Sequence, residues 1–389
     1  MRILFLEWKS IGNMDMIEAF QACGHEVKCI PFSNEGVRRS EKTEQFLINN
    51  IREYSPDFVF SFNYFPLVSI SCKACGIAYV SWTYDNPYVM LYSYTILYEK
   101  NYIFVFDKSL YLEFHNAGIH TVYYLPLAAN PDRLIKMNQD PVFLRSPYAP
   151  QTGISFVGSL YNEQHNFFDR LEGISSYTKG YLEGLMSAQM QVYGANFIQD
   201  SLPKEILDDM HKSLPLTPAP DGIESVEYLY AQYVINRHIT SVERNKYLTD
   251  IASTYGLDLY THNSEVLING CINHGEADYY DMAPYVFRHS QINLNLSLRS
   301  IHTGIPLRCF DIIGTCGFLL SNYQADFADC FIEDQDYVSF SGYQDMMDKI
   351  AYYLKHEDEC NDIKKSGFRT LSENHTYIHR VNEMISYLK

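Results

Sequence analysis

The sequence predicts two doubly wound α/β domains in series, and three observations carry that reading. Short apolar runs alternate with amphipathic helical segments through the first third of the chain. The same alternation resumes near Ile154, and a Pro-rich polar stretch lies between the two. Parallel sheets covered by helices on both faces produce this pattern, because their strands are buried on both sides and read as near-continuous apolar runs.

The first domain is expected over residues 1–129. Residues 2–6 read as a strand, 13–23 as a helix stopped by Gly24, 26–30 as a strand and 42–54 as a helix. Residues 57–62 form a β-rich run, 67–74 are helical, and 77–82 form a strand that ends in the polar loop Thr83-Tyr84-Asp85-Asn86-Pro87. A strand at 102–106, a helix closing near Gly118 and a strand at 121–125 complete the unit. Pro131, Pro141, Pro147 and Pro150 mark residues 130–152 as a linker. The second domain, 153–365, opens on Ile154-Ser155-Phe156-Val157-Gly158. A helical insertion follows at about 166–255, broken by a Pro-rich stretch at 214–221. Strands at 257–261, 292–296 and 317–320 and a helix at 307–314 resume the alternation. The chain ends in helices, of which 366–389 is expected to pack back on the first domain. Ligands of open parallel sheets bind at the carboxyl ends of the strands, so two such domains would face one another across a cleft.

Composition narrows the function. With 30 Lys and Arg against 47 Asp and Glu, the 389-residue chain carries a formal charge of −17, which argues against a nucleic-acid partner. There are 33 Tyr and 23 Phe against 2 Trp. Tyr64, Tyr84, Tyr88 and Tyr161 fall in or beside the predicted ligand loops, where an amphipathic ring can stack on a sugar. No export signal or transmembrane segment is evident, and nine scattered cysteines suit free thiols in the reducing cytoplasm. Cys72 and Cys75 form an isolated CxxC, read as helix packing.

The most informative segment runs from Ser297 through Ser300, His302, Thr303, Gly304, Pro306, Arg308 and Asp311 to Asn322. It reads as a strand, a polar loop, and a helix with Pro306 in its first turn. Free N–H groups at the helix start suit a diphosphate, Arg308 adds a bidentate charge, and Asp311 can accept from ribose hydroxyls. An ordinary helix start with Arg308 paired to a surface carboxylate is the alternative on local chemistry.

This segment resembles the nucleotide-sugar-binding part of GT-B glycosyltransferases, in particular the group of the spore maturation protein CgeB and related "glycosyl transferases group 1" proteins. Residues 154–159, His274-Gly275 with Tyr279, Met282 and Pro284, the run 292–295, and His375-Thr376-Tyr377 with His379-Arg380 are similar to further parts of that family. So are Trp82 through Pro87 and residues 125–128. The resemblance covers most of the chain outside the insertion. It implies a GT-B fold and a hexosyltransferase that moves a sugar from a UDP- or dTDP-linked donor to a glycan, protein or lipid-linked acceptor. The donor site would be Gly158, Ser159, Ser300, Thr303, Gly304, Arg308 and Asp311. His302 would meet the sugar or diphosphate. Asp85 is the first choice for the acceptor-side base, ahead of Asp107 and Glu7. Two positions depart from the wider fold family. Thr303 stands where many retaining members have an acidic residue, and no Arg and Lys pair is evident after Gly158, Arg170 being the nearest candidate. No cofactor or metal is expected, and Asp334-Gln335-Asp336 is read as a loop rather than a metal-binding DxD. A non-catalytic glycan- or transferase-binding protein and a nucleotide-sugar epimerase are the rival readings. The insertion could cover the acceptor side, join a homodimer or bind a partner.

Overall fold

A computed structural model describes residues 1–33, 36–137, 147–162 and 166–388. The chain divides into two compact units. Unit 1 gathers residues 1–129, 218–224 and 375–389, and unit 2 gathers residues 130–217 and 225–374.

Unit 1 holds six strands: β1 (Arg2–Glu7), β2 (Glu26–Pro31), β3 (Phe58–Phe62), β4 (Ala78–Thr83), β5 (Asn101–Val105) and β6 (Val122–Tyr124). They pair in the order β2-β1-β3-β4-β5-β6, every pair parallel. Between them run α1 (Asn13–Ala22), α2 (Glu41–Tyr54), α3 (Pro66–Cys75) and α4 (Lys108–Asn116). Local chemistry sets these ends. Ser40 accepts the Thr43 N–H at the start of α2, and Asp107 accepts the Ser109 N–H at the start of α4. The phenylalanines are largely core: Phe60 packs on Phe62 at 5.5 Å between centroids, and Phe62 stacks on Trp82 at 5.9 Å. Tyr64 is fully buried, its hydroxyl 2.7 Å from that of Thr95.

Unit 2 begins with α5 (Pro131–Met137), so the Pro-rich stretch starts as a helix. Pro141 and the rest of 138–146 lie outside the described residues. After β7 (Ile154–Val157) come α6 (Ser176–Met190) and α7 (Lys204–Ser213). One continuous helix follows as α8 (Val226–Leu229), a π-wound stretch Tyr230–Ile235, and α9 (Asn236–Tyr255). Then come β8 (Leu257–Tyr260), β9 (Cys271–Asn273), α10 (Ala283–His289), β10 (Ile292–Asn295), α11 (Leu307–Gly314), β11 (Leu319–Asn322), β12 (Val338–Phe340), α12 (Tyr343–Tyr353) and α13 (Glu357–Asn374). The sheet order is β12-β11-β10-β7-β8-β9, again all parallel. Sheet and insertion each have their own apolar core.

Two segments of chain from beyond residue 129 belong to unit 1. The Pro-rich break in the insertion leads into residues 218–224, where Arg38 pairs with Asp221 at 3.4 Å and Glu224 at 3.1 Å, and the Tyr94 N–H meets the Asp221 carbonyl. The last helix, α14 (Tyr377–Tyr387), packs against α1. Thr376 and His379 form its capping box, and buried Arg380 donates to the Pro126 and Leu127 carbonyls and meets His375 Nδ1 at 2.8 Å. His375, His379 and Arg380 therefore hold the end of the chain in place.

The Asp334–Asp336 triplet is a structural turn. Asp336 accepts from the Ile332 N–H at 3.0 Å and the Ser366 hydroxyl at 2.7 Å. Gly367 of α13 lies against the same turn, and a Cβ there would overlap the Asp336 carbonyl oxygen. Backbone on both sides leaves little room to relax. Gly367→Ala is expected to destabilise the protein by about 1–3 kcal/mol, as read from urea midpoints; an unchanged midpoint would contradict this packing.

Candidate functional site

β7 and β10 are neighbours in the middle of the second sheet, and their carboxyl ends carry the site. At the end of β7, Gly158 has φ +152°, and a Cβ there would lie 2.6 Å from Arg308 Nη2. Only a residue without a side chain lets the guanidinium close on the backbone. Arg308, in the first turn of α11, donates to Asn295 Oδ1 at 3.2 Å, and its guanidinium carbon is 5.6 Å from the Phe156 ring centroid. Asn295 ends β10 and is fully buried. Its Nδ2 donates to the Ser297 and Ser321 hydroxyls, which fixes its oxygen toward Arg308. Pro306 stands at the N-cap of α11, one position before the first turn.

A second guanidinium reaches the same turn from the insertion. Arg244 of α9 is 3% exposed and donates to the Ser159 and Leu296 carbonyls. Arg244 and Arg237 both lie 4.9 Å from the Tyr161 ring centroid, and Tyr161 is held at φ +55°. Arg170 instead is exposed beside Phe167. Among the described residues neither Arg244 nor Arg308 has a carboxylate within ion-pair distance, whereas Arg299 is paired with Glu243. Burial lowers the pKa of Arg308 and pulls that of Arg244 down to about 10; Tyr161 acts against this and Arg308 with it. A buried and a part-buried cation, neither ion-paired among the described residues and eased only at longer range by Glu243 and Asp311, create a local demand for an anion.

Asp311, one turn beyond Arg308, is buried and accepts from the Tyr279 hydroxyl at 3.1 Å. The loop before α11 is pinned from outside. The Arg299, Ile301 and Thr303 carbonyls accept from Asn196, Gln324 and the Asp326 N–H respectively. The Ser300 hydroxyl donates to the Gln232 carbonyl at 2.9 Å, so this buried position braces the loop. His302 Nε2 lies 3.5 Å from Gln232 Nε2, Thr303 is half-buried, and Gly304 is buried. The structure thus gathers Gly158, Ser159 and Arg308 at one turn, with Asp311 further along α11 and the loop residues Ser300, His302, Thr303 and Gly304 before it. His274 serves the fold, stacked on Tyr260 and bonded to Asp258 at 2.7 Å.

Asp85 belongs to unit 1, in the loop after β4. Asn63, in the loop after β3, donates to its carboxylate at 2.6 Å and accepts from the Tyr84 N–H. Asp107 caps α4 and receives the Asn86 amide at 3.0 Å; Glu7 is exposed at the end of β1. Sequence reasoning missed Asn63 and Arg244, and it named Tyr279 only within the family resemblance, without its bond to Asp311. Only Arg244 left a readable trace, standing seven residues after Arg237 and so on the same helix face.

Residues 244–386 match a family model described as glycosyl transferase-like. No curated protein sequence matches the chain. Among solved structures it is similar to a glycosyltransferase from Rickettsia africae, at 11% identity and TM-score 0.58 over 99% of this chain and 97% of that one. Sucrose-phosphate synthase from Thermosynechococcus elongatus gives 9% and 0.53 over 100% and 98%. HepE from Anabaena, solved with UDP and glucose, gives 10% and 0.51 over the whole of both chains. The two six-stranded parallel sheets are those of the GT-B glycosyltransferase fold. The stretch matched by that family model begins at Arg244.

Asp85 gives the protein a pH signature. Asp85 keeps an exposed surface, but the protein packed around its carboxyl raises the pKa by loss of hydration, and the Asn63 hydrogen bond opposes the rise. A raised acid binds its proton more tightly in the folded state, so its contribution lowers stability as pH climbs above the ordinary Asp value. Asp85→Asn is expected to be more stable than the wild type at neutral pH. The gap should close below about pH 4, where the carboxyl is protonated in both states. Urea midpoints across that range check this, and a gap that widens on acidification would refute it.

Proposed function

We propose that the protein is a CgeB-like glycosyltransferase that moves a sugar, a hexose in the simplest reading, from a UDP- or dTDP-linked donor to a glycan, protein or lipid-linked acceptor. The observation that carries the reading is the pair of guanidiniums, Arg244 and Arg308, closed on the Gly158 turn with no carboxylate at ion-pair distance among the described residues. A nucleoside diphosphate supplies two adjacent negative charges at the required scale. HepE, similar in fold, is described with UDP and glucose.

In this reading Arg308, Arg244 and the N–H groups opening α11 hold the diphosphate and offset the charge that grows on it as the glycosidic bond breaks. The cationic pair does the work a divalent metal would do, so the transfer is proposed to need no metal or cofactor. Asp311, oriented by Tyr279, accepts from the ribose hydroxyls. Gly158, Ser159, Thr303 and Gly304 let the ligand approach the backbone. Asp85 is the proposed acceptor-side base, its carboxyl made a stronger proton acceptor by loss of hydration. Among the described residues none of the nine cysteines is in a disulfide, which supports a cytoplasmic enzyme. Among the described residues no helix is long and apolar enough to cross a membrane.

Thr303, in place of an acidic residue, favours a second reading in which the site binds nucleotide without turnover. Titration calorimetry with UDP, dTDP and GDP separates these. At least one nucleotide is expected to bind, and Arg308→Ala and Asp311→Ala should each weaken it about tenfold or more, since a hydrogen bond to a charged group contributes about 1.5–3 kcal/mol. No binding by any of the three would overturn the donor site. Binding with donor hydrolysis at background, even with acceptor extracts, would select the non-catalytic reading.

A further inference from the structure

Guanidiniums and aromatic rings alternate at the Gly158 turn. The guanidinium carbons of Arg237 and Arg244 each lie 4.9 Å from the Tyr161 ring centroid, and Arg244 also lies 5.3 Å from that of Phe156. Arg308 follows at 5.6 Å from the Phe156 ring. All of these groups belong to unit 2. Phe156 is fully buried in β7, and half-buried Tyr161 is set by its left-handed backbone and by its N–H donating to Ser159 Oγ at 3.0 Å. The Tyr161 ring is thus engaged by cations rather than left for a sugar to stack on.

Arg299 is the contrast within the same unit. It too lies over a ring, 4.3 Å from the Tyr193 centroid, but Glu243 takes its guanidinium in a two-point ion pair. Arg244 and Arg308 have rings and, among the described residues, no carboxylate at ion-pair distance. Arg244 donates to the Ser159 and Leu296 carbonyls, and its Nε has no hydrogen-bond partner among the described residues. An aromatic face is electron-rich and attracts a cation, most strongly where water is excluded. It has no net charge, so it steadies the cation without cancelling it. A carboxylate in the same place would neutralise the guanidinium and repel an arriving anion.

We propose that Tyr161 and Phe156 are uncharged counter-groups, which hold Arg244 and Arg308 in place and leave both positive charges to the ligand. That the ligand is a nucleoside diphosphate rests on the proposed donor site; what the rings do for the guanidiniums does not. Both are positioning residues for the two arginines.

Phe156 is part of the sheet core, where a change would also unsettle the fold, so Tyr161 carries the test. Tyr161→Phe, Tyr161→Leu and Tyr161→Glu all introduce side chains unbranched at Cβ, which keeps the cost of φ +55° similar across the set. Urea midpoints and calorimetry with UDP, dTDP and GDP are compared on the full-length protein. Tyr161→Phe keeps the ring and should stay close to the wild type in both. Tyr161→Leu should have a lower midpoint than Tyr161→Phe and bind nucleotide about tenfold or more weakly than it, the scale of a desolvated cation–π contact. Tyr161→Glu should have a higher midpoint than Tyr161→Leu and yet bind no nucleotide. Stability and affinity then move in opposite directions, which a packing role alone does not produce. A Tyr161→Leu protein that equals Tyr161→Phe in midpoint or affinity, or a Tyr161→Glu protein no more stable than Tyr161→Leu, overturns the proposal. If the wild type binds no nucleotide the donor site falls, and the order of the midpoints still decides the role of the ring.

Discussion

Arg308 sits where any side chain at position 158 would be, and much of the second sheet's polar chemistry is arranged around that fit. The guanidinium needs a glycine behind it, an acceptor beside it and a helix start beneath it. Gly158 ends β7, Asn295 ends β10, and Pro306 precedes α11. Asn295 can serve only because the Ser297 and Ser321 hydroxyls hold its amide the right way round. The polar residues that alternate with apolar ones along β10 have a use: Ile292 and Leu294 face the core, while Asn293 and Asn295 link neighbouring strands and loops.

The insertion acts as the outer support of the loop before α11. Asn196, Gln232, Thr240 and Glu243 all reach the stretch from Arg299 to His302, and Arg244 continues the same helix into the Gly158 turn. A loop stabilised only by its own turns would sample many conformations. Fixing its carbonyls and hydroxyls from a separate core transfers the rigidity of α9 to the groups that would meet a ligand. Within unit 2 the insertion is therefore part of the site's construction, whatever it does elsewhere.

Much of this was legible because burial writes itself plainly into strands. Phe58–Phe62 is buried at every position and reads as a strand at sight, and the parallel architecture follows from several such runs. β9, three residues at the sheet edge with a half-exposed pattern, gives no such signal. The helix at Pro131–Met137 hides behind prolines that also suit a linker. At the site, Arg308 and Asp311 were readable because they share a helix, while Arg244 stands 86 positions after Gly158 and is brought to it only by the fold. The DxD triplet illustrates the opposite risk. Its spacing matches a metal motif although the segment reads as a loop, and the partners of Asp336 show what that carboxylate does there.

The acidic composition sharpens the role of the enclosed arginines. A net charge of −17 repels an anion at long range, but salt screens that field beyond about 8 Å at physiological ionic strength. Attraction must then come from groups that act after water has been excluded, where a charge interacts far more strongly than at the surface. Lysines spread over the surface would contribute little. Two guanidiniums fixed by protein acceptors, one on α9 and one on α11, have already lost part of their hydration, so in the proposed site an anion would meet charges held in place. A chain poor in basic residues can hold a doubly charged ligand this way, because position and enclosure replace number.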